Sequence, residues 1–427
     1  MLQKPIRRLV AFGAVGLLSL VVGAQELLPP SPCFDGSCAE HVSVSSPEEA
    51  RSGNPLGIKW NPGVYQILDL PRALDDVVLE RYLNGHQGCT ADYPWFTGFK
   101  VRIHWQEYER APRDYSAGDE IVQRLLDKLA THCGNRRLIL HTDFHANHFS
   151  HAGHPNNPSL PRLCAPADLR EFVVERTAEQ ADNRTPRCMA PVWNNDTPVP
   201  ARHNALVDHI ARTWNSHPRF EGYFPKGEGS IGGDIEGNDP TYNRLRYEQY
   251  MFDLALRYRE QAPNTWFALG TNFHAGVGID GPQNLVDNWL PWIEANGVGI
   301  GVHWPDTHTV RQFPATSAHR HHRDEWANQI AMVGEWQRPG TTFRRFGDVH
   351  DACCNSEGWR VGGEEATWAA THPIMGFLTG SALDAENQAD IFRVVAARID
   401  AGNSAVFSKA CPAKWTQGGA NCVTGDL

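Results

Sequence analysis

NQIAMVGEWQRPG, residues 328–340, holds an apolar run of the kind a strand buried on both faces uses, and the run stops on Glu335. A carboxylate at that point is costly unless it is paired or put to use. Seven other short apolar runs share this form: GVYQILDL, GFKVRIHW, RRLILHTDF, FEGYFPKGE, TWFALGTNF, GVGIGVHW and IMGFLTGSALD. Between them lie amphipathic segments at 119–130 (Ile121, Leu125, Leu126 and Leu129 on one stripe), 203–214, 244–259, 285–295 and 388–401. Strands alternating with helices wind a parallel sheet, and eight of them predict an α/β fold closed as a (β/α)8 TIM barrel. An open doubly wound sheet is the alternative, but no GxGxxG follows the first strand.

The ends of the chain read differently. Lys4, Arg7 and Arg8, then an apolar run over 9–22 and the small pair Gly23 and Ala24, form a secretory signal over 1–24, with cleavage expected before Gln25. The run is shorter than the roughly 20 apolar residues a membrane span needs. The expected product is secreted or periplasmic, with no membrane span once the signal is removed. A Pro- and Ser-rich strap follows over 25–55, then the barrel over 56–410 and a tail over 411–427.

Ten cysteines, an even number, suit an exported protein with disulfides. Spacing suggests Cys33 with Cys38, Cys164 with Cys188 and Cys411 with Cys422, and leaves Cys89, Cys133, Cys353 and Cys354 open. The formal charge of −10 has no basic block beyond the signal, which argues against a nucleic-acid partner. Residues 146–195, long for a strand-to-helix connection, are read as an excursion over one barrel face, stapled by Cys164 and Cys188.

In such barrels chemistry gathers where the strands end. The runs end on Arg102 and His104, Asp143 and His145, Glu228, Asn272 and His274, His303 and Trp304, and Glu335 and Trp336. Any one of these is as well explained by a helix cap or a satisfied surface group. Their recurrence on six strands points to a shared bowl. Glu228 and Glu335, on the fourth and seventh strands, can face each other across the barrel mouth. Glycoside hydrolysis needs such a pair, one carboxyl protonated to assist the leaving oxygen and one ionised. Arg102, from the second strand, would keep Glu335 ionised. Asp234 and Glu236 compete for the fourth-strand acid, but Glu228 directly follows the apolar run.

VRIHW with Arg102, LILHTDFHANH with His145, Glu228, GVHW with His303 and VGEW with Glu335 resemble, in order, the clan A retaining glycoside hydrolases. The closest type is the family 5 cellulases and mannanases. The resemblance implies Glu228 as acid/base, Glu335 as nucleophile, and Arg102, His145 and His303 as orienting groups on a carbohydrate substrate. It departs at Gly227, where the family has an asparagine that binds the sugar 2-hydroxyl; Asn272 or Asn194 is left for that role. Trp105, Trp193, Trp304 and Trp336 fall at or near strand ends, where indole rings can stack on sugar faces, although about half such tryptophans belong to the core.

Two rivals stand beside this reading. One is a carbohydrate-binding barrel without catalysis. The other is a metal-dependent hydrolase using His141, Asp143, His145, His148, His151 and His154, whose spacing would align them only on a helix. HRHHRDE, at 319–325, reads as a solvated loop, and neither a GxSxG elbow nor a Walker lysine is present. No cofactor is called for.

Overall fold

Eight parallel strands close on themselves in the computed structural model. In chain order the strands are β1 (Ile58–Lys59), β2 (Gly63–Asp69), β3 (Phe96–His104), β4 (Arg137–Asp143), β5 (His145–Asn147), β6 (Val174–Arg176), β7 (Arg187–Met189), β8 (Phe220–Lys226), β9 (Trp266–Gly270), β10 (Gly299–His303), β11 (Met332–Trp336), β12 (Phe377–Gly380) and β13 (Cys422–Val423). The closed ladder runs β2-β3-β4-β8-β9-β10-β11-β12 and back to β2. The protein is a (β/α)8 barrel, and each of its strands carries one of the eight apolar runs. The structure describes residues 57–70, 72–83, 96–131, 136–147, 163–176, 187–226, 241–270, 290–303, 332–336, 377–380, 410–417 and 421–423. The signal, the strap with Cys33 and Cys38, and the helix expected over 388–401 lie outside them. Among the described residues no helix is long and apolar enough to cross a membrane.

The described helices are α1 (Asp76–Leu83), α2 (Trp105–Tyr108), α3 (Ser116–Ala130), α4 (Val199–Trp214), α5 (Arg244–Gln261), α6 (Leu290–Asn296) and α7 (Ala413–Gln417). Helix α3 forms where Ile121, Val122, Leu125, Leu126 and Leu129 recur on one face, and that face is buried. Helix α4 begins with a proline in its first turn, where no amide hydrogen is needed, and buries Leu206, Val207, Ile210 and Trp214. Asn243 caps α5 by accepting from the Arg246 amide at 3.1 Å. These faces share one apolar core with Phe99, Val101, Ile103, Leu138 and Leu140 of the strands. Each fully buried Leu or Ile there contributes about 2 kcal/mol.

Strand alternation sends the other residues inward. Tyr65, Ile139, Phe224, Trp266 and Ala268 form a second cluster inside the barrel. Gly222 leaves room for it, because a Cβ there would run into the Trp266 ring. The lumen is charged as well as apolar: Lys100, Arg102, Arg137, His141 and Asp143 are all buried. Lys100 places its ammonium 4.2 Å from the Phe224 ring centroid.

The expected tail is part of the barrel floor. Strand β13 pairs in parallel with β1, and Cys411 is bonded to Cys422 as the spacing suggested. Trp415 meets the edge of Trp60 at 5.2 Å and donates to the Gly297 carbonyl at 2.7 Å. Lys59 donates to the carbonyls of Asn215 and His217 at 2.7 and 2.8 Å, ahead of β8. Burial lowers its ammonium to a pKa of about 7 against the opposing pull of Glu221.

Candidate active site

The opposite rim, where the barrel strands end, collects the polar groups. In parallel ladders register partners share a face. Asp69 pairs with Arg102 and Arg102 with His141; one step further on, His104 pairs with Asp143 and Asp143 with Lys226. Within that layout Arg102 faces carboxylates on both neighbouring strands. Arg102 Nε lies 3.5 Å from Asp69 Oδ1 and 3.6 Å from Asp143 Oδ2. Asp143 Oδ1 in turn lies 3.3 Å from His141 Nε2. Arg102 is 6% exposed and Asp143 1%, so their attraction is little screened by solvent.

On the far side His303 ends β10, and Glu335 is the next-to-last residue of β11. They are register partners, and Glu335 is also in register with Thr379 of β12. Thr379 pairs with Tyr65, a lumen residue. Glu335 and His303 therefore belong to the alternate set of positions that supplies the lumen. Trp336 closes the same strand. Glu228 follows two residues after the end of β8, and Asn272 two after β9; both lie outside the described residues, as do His274, Trp304, Asp234 and Glu236.

The described part of the excursion is a small sheet built on the third barrel strand, with the expected Cys164–Cys188 staple. After Asp143 a single residue, Phe144, intervenes before β5, which pairs antiparallel with β7, as does β6. Cys188, central in β7, is bonded to Cys164. His145 thus opens this rim sheet, opposite Met189, rather than ending the barrel strand, and it is buried.

Trp193 does not serve as the expected cleft wall. It is 1% exposed and meets the edges of Tyr242 and Tyr247 at 5.1 and 6.0 Å, so core packing takes its ring. Trp105 is core too, with its indole N–H donated to Glu109 at 2.7 Å. Asn194 makes a turn: its Oδ1 accepts from the Asp196 amide at 3.1 Å and its carbonyl from the Thr197 amide at 3.1 Å.

Two rim residues escaped the sequence reading. Asp69 ends the first barrel strand and would have been found by the same strand-end rule. Glu107 follows the second strand, in α2, and accepts from the His104 amide at 3.0 Å. Burial raises its carboxyl to a pKa of about 7; the His104 amide opposes the rise and Asp69 adds to it. For metal binding, the described residues hold no group of three or more His, Cys, Asp or Glu able to take an ion. His141 and Asp143 are adjacent, and His148, His151 and His154 lie outside the described residues.

No protein-family model matches the chain, and no curated protein matches it. Solved structures do. Endo-glycoceramidase II from Rhodococcus sp., in its ganglioside GM3 complex, is 12% identical with a TM-score of 0.41, covering 77% of each chain. A GH5-4 broad-specificity endoglucanase from an uncultured bacterium is 12% identical with a TM-score of 0.42, covering 80% of this chain and 93% of its own. A GH5_18 protein from Streptomyces cattleya, in complex with Manb1-4GlcNAc, is 11% identical with a TM-score of 0.42, covering 76% and 70%. The barrel assignment itself rests on the strand ladders.

Proposed function

We propose that this chain is an exported glycoside hydrolase that cleaves an O-glycosidic bond of an oligo- or polysaccharide by double displacement. The observation that carries the reading is the register of Glu335 with His303 at the ends of adjacent barrel strands, in the ring of strand ends that also holds Arg102. Glu335 is the nucleophile and Glu228 the acid/base. Protonated Glu228 gives its proton to the leaving glycosidic oxygen while Glu335 attacks the anomeric carbon, forming a glycosyl ester. Glu228 then takes a proton from water, the water oxygen attacks the anomeric carbon, and the ester bond to Glu335 breaks. Arg102 holds Glu335 ionised and His303 orients the substrate.

Hydrolysis of a panel of aryl β-glycosides and soluble glucans and mannans tests this. Glu335→Gln and Glu228→Gln should each lower kcat by 1,000-fold or more, on the order of 4 kcal/mol in the barrier. Full activity in Glu335→Gln would remove the nucleophile and the reading with it. Gly227, where the resembled family has asparagine, favours a carbohydrate-binding barrel without turnover. Saturable glycan binding with no product from the wild-type chain would select that second reading.

A further inference from the structure

Arginine side chains carry substantial rotamer freedom, and a guanidinium stabilises developing charge best when it is already oriented. Arg102 is held from both sides. Asp69, on the preceding barrel strand, and Asp143, on the following one, both approach its Nε, at 3.5 and 3.6 Å. Asp143 itself lies between two groups, with Oδ2 3.6 Å from Arg102 Nε and Oδ1 3.3 Å from His141 Nε2. Lys100 lies two residues below Arg102 on the same strand, and Glu107 stands near Asp69. Asp143, almost fully buried, carries a desolvation cost that its ion pairs have to offset, and Asp69 adds a second negative charge at the outer side. That cost calls for a compensating role.

We infer that Asp69 and Asp143 are positioning residues that clamp the Arg102 guanidinium in the orientation it presents to Glu335, an inference that rests on the glycosidase reading above. Asp143 is the principal member, because it is almost fully buried beside the guanidinium. Asp69, a third exposed, is the outer jaw.

The test uses the full-length enzyme and the variants Asp143→Asn, Asp143→Glu and Asp69→Asn, with kcat, KM and pH profiles on the best aryl glycoside. For Asp143→Asn the clamp predicts kcat lower by about 100-fold, with KM changed less than about threefold. The acidic limb of the profile should move up by about one pH unit, because Glu335 loses the oriented cation that keeps it ionised. Asp143→Glu should recover part of kcat. A role of Asp143 as a bare charge predicts the opposite shift, since removing a nearby carboxylate lowers the limb. A purely structural role lowers stability and leaves the limb in place. Either of those results overturns the inference.

Crystal structures of Asp69→Asn and Asp143→Asn read the clamp without turnover. The Arg102 guanidinium should move by about 1 Å or more in at least one of them; an unmoved guanidinium in both contradicts the clamp. If Glu335→Gln keeps wild-type turnover, the glycosidase reading fails, and the guanidinium position still decides the clamp.

Discussion

Glu107 accepts the His104 amide at 3.0 Å, so a half-buried acid is fixed beside Asp69 at the rim of the barrel. Its folded pKa of about 7 exceeds the ordinary 4.5. The folded state therefore binds a proton that the unfolded chain releases between these values. Stability from this group is complete below pH 4.5 and is lost as pH rises through 7, by up to about 3 kcal/mol. Glu107→Gln keeps the acceptor and removes the charge. Urea unfolding from pH 4 to 8 should show the variant gaining on wild type as pH rises, whereas parallel curves would refute the assignment.

His203 has the opposite linkage. It is buried in α4, with Nδ1 2.6 Å from the Tyr250 hydroxyl and its ring 5.1 and 5.0 Å from Trp105 and Phe144. Burial lowers its pKa to about 3. Its contribution is present above pH 6.5 and is lost as pH falls toward 3, by as much as about 5 kcal/mol. In His203→Gln the thermal midpoint should fall less steeply than wild type between pH 6.5 and 3. An unchanged slope would place the acid sensitivity elsewhere.

Glu109 ties the second barrel strand's exit to α4. Fully buried, it accepts from Trp105 Nε1 at 2.7 Å, the Arg113 amide at 2.6 Å and Arg202 Nε at 2.5 Å. Arg202 also reaches Asp168 at 3.0 Å, near the surface. Glu109→Ala should cost about 3–5 kcal/mol, because it leaves a partly buried guanidinium without its inner partner. Asp168→Asn should cost under about 1 kcal/mol. Chemical denaturation that finds equal costs would show the network to be misjudged.

Cys164–Cys188 closes a loop with a sequence separation of 24, worth about 3 kcal/mol in chain entropy. Cys188 pairs in register with Ala146, next to His145. Replacing both cysteines by serine should speed amide exchange over β5, β6 and β7 and leave β2, β3 and β4 as protected as before. Equal loss of protection in the barrel would mean that the excursion and barrel unfold as one unit.

All eight barrel strands were legible because strands covered on both faces give short apolar runs between helices. The same pattern located the rim, since residues such as Arg102, Asp143 and His303 break an apolar run only at its end. Long-range packing was less legible. Trp193 is core because Tyr242 and Tyr247, about fifty residues later, close over it, and no local spacing records that. The tail looked like a tether, yet β13 pairs with a strand more than 350 residues earlier to make the floor. The apolar run puts His145 at a strand end, but the chain turns at Phe144 into a new sheet whose partners come from the far side of the excursion. Glu107 was missed because its chemistry comes from burial beside Asp69 rather than from its place in a run.

The central claim is tested most directly by trapping the glycosyl ester. Incubation with 2-deoxy-2-fluoro glycosides bearing good leaving groups, followed by mass spectrometry of the proteolysed chain, should find one sugar on the peptide that contains Glu335. A sugar on a different carboxylate, or inverted product with no trapped ester, would contradict it.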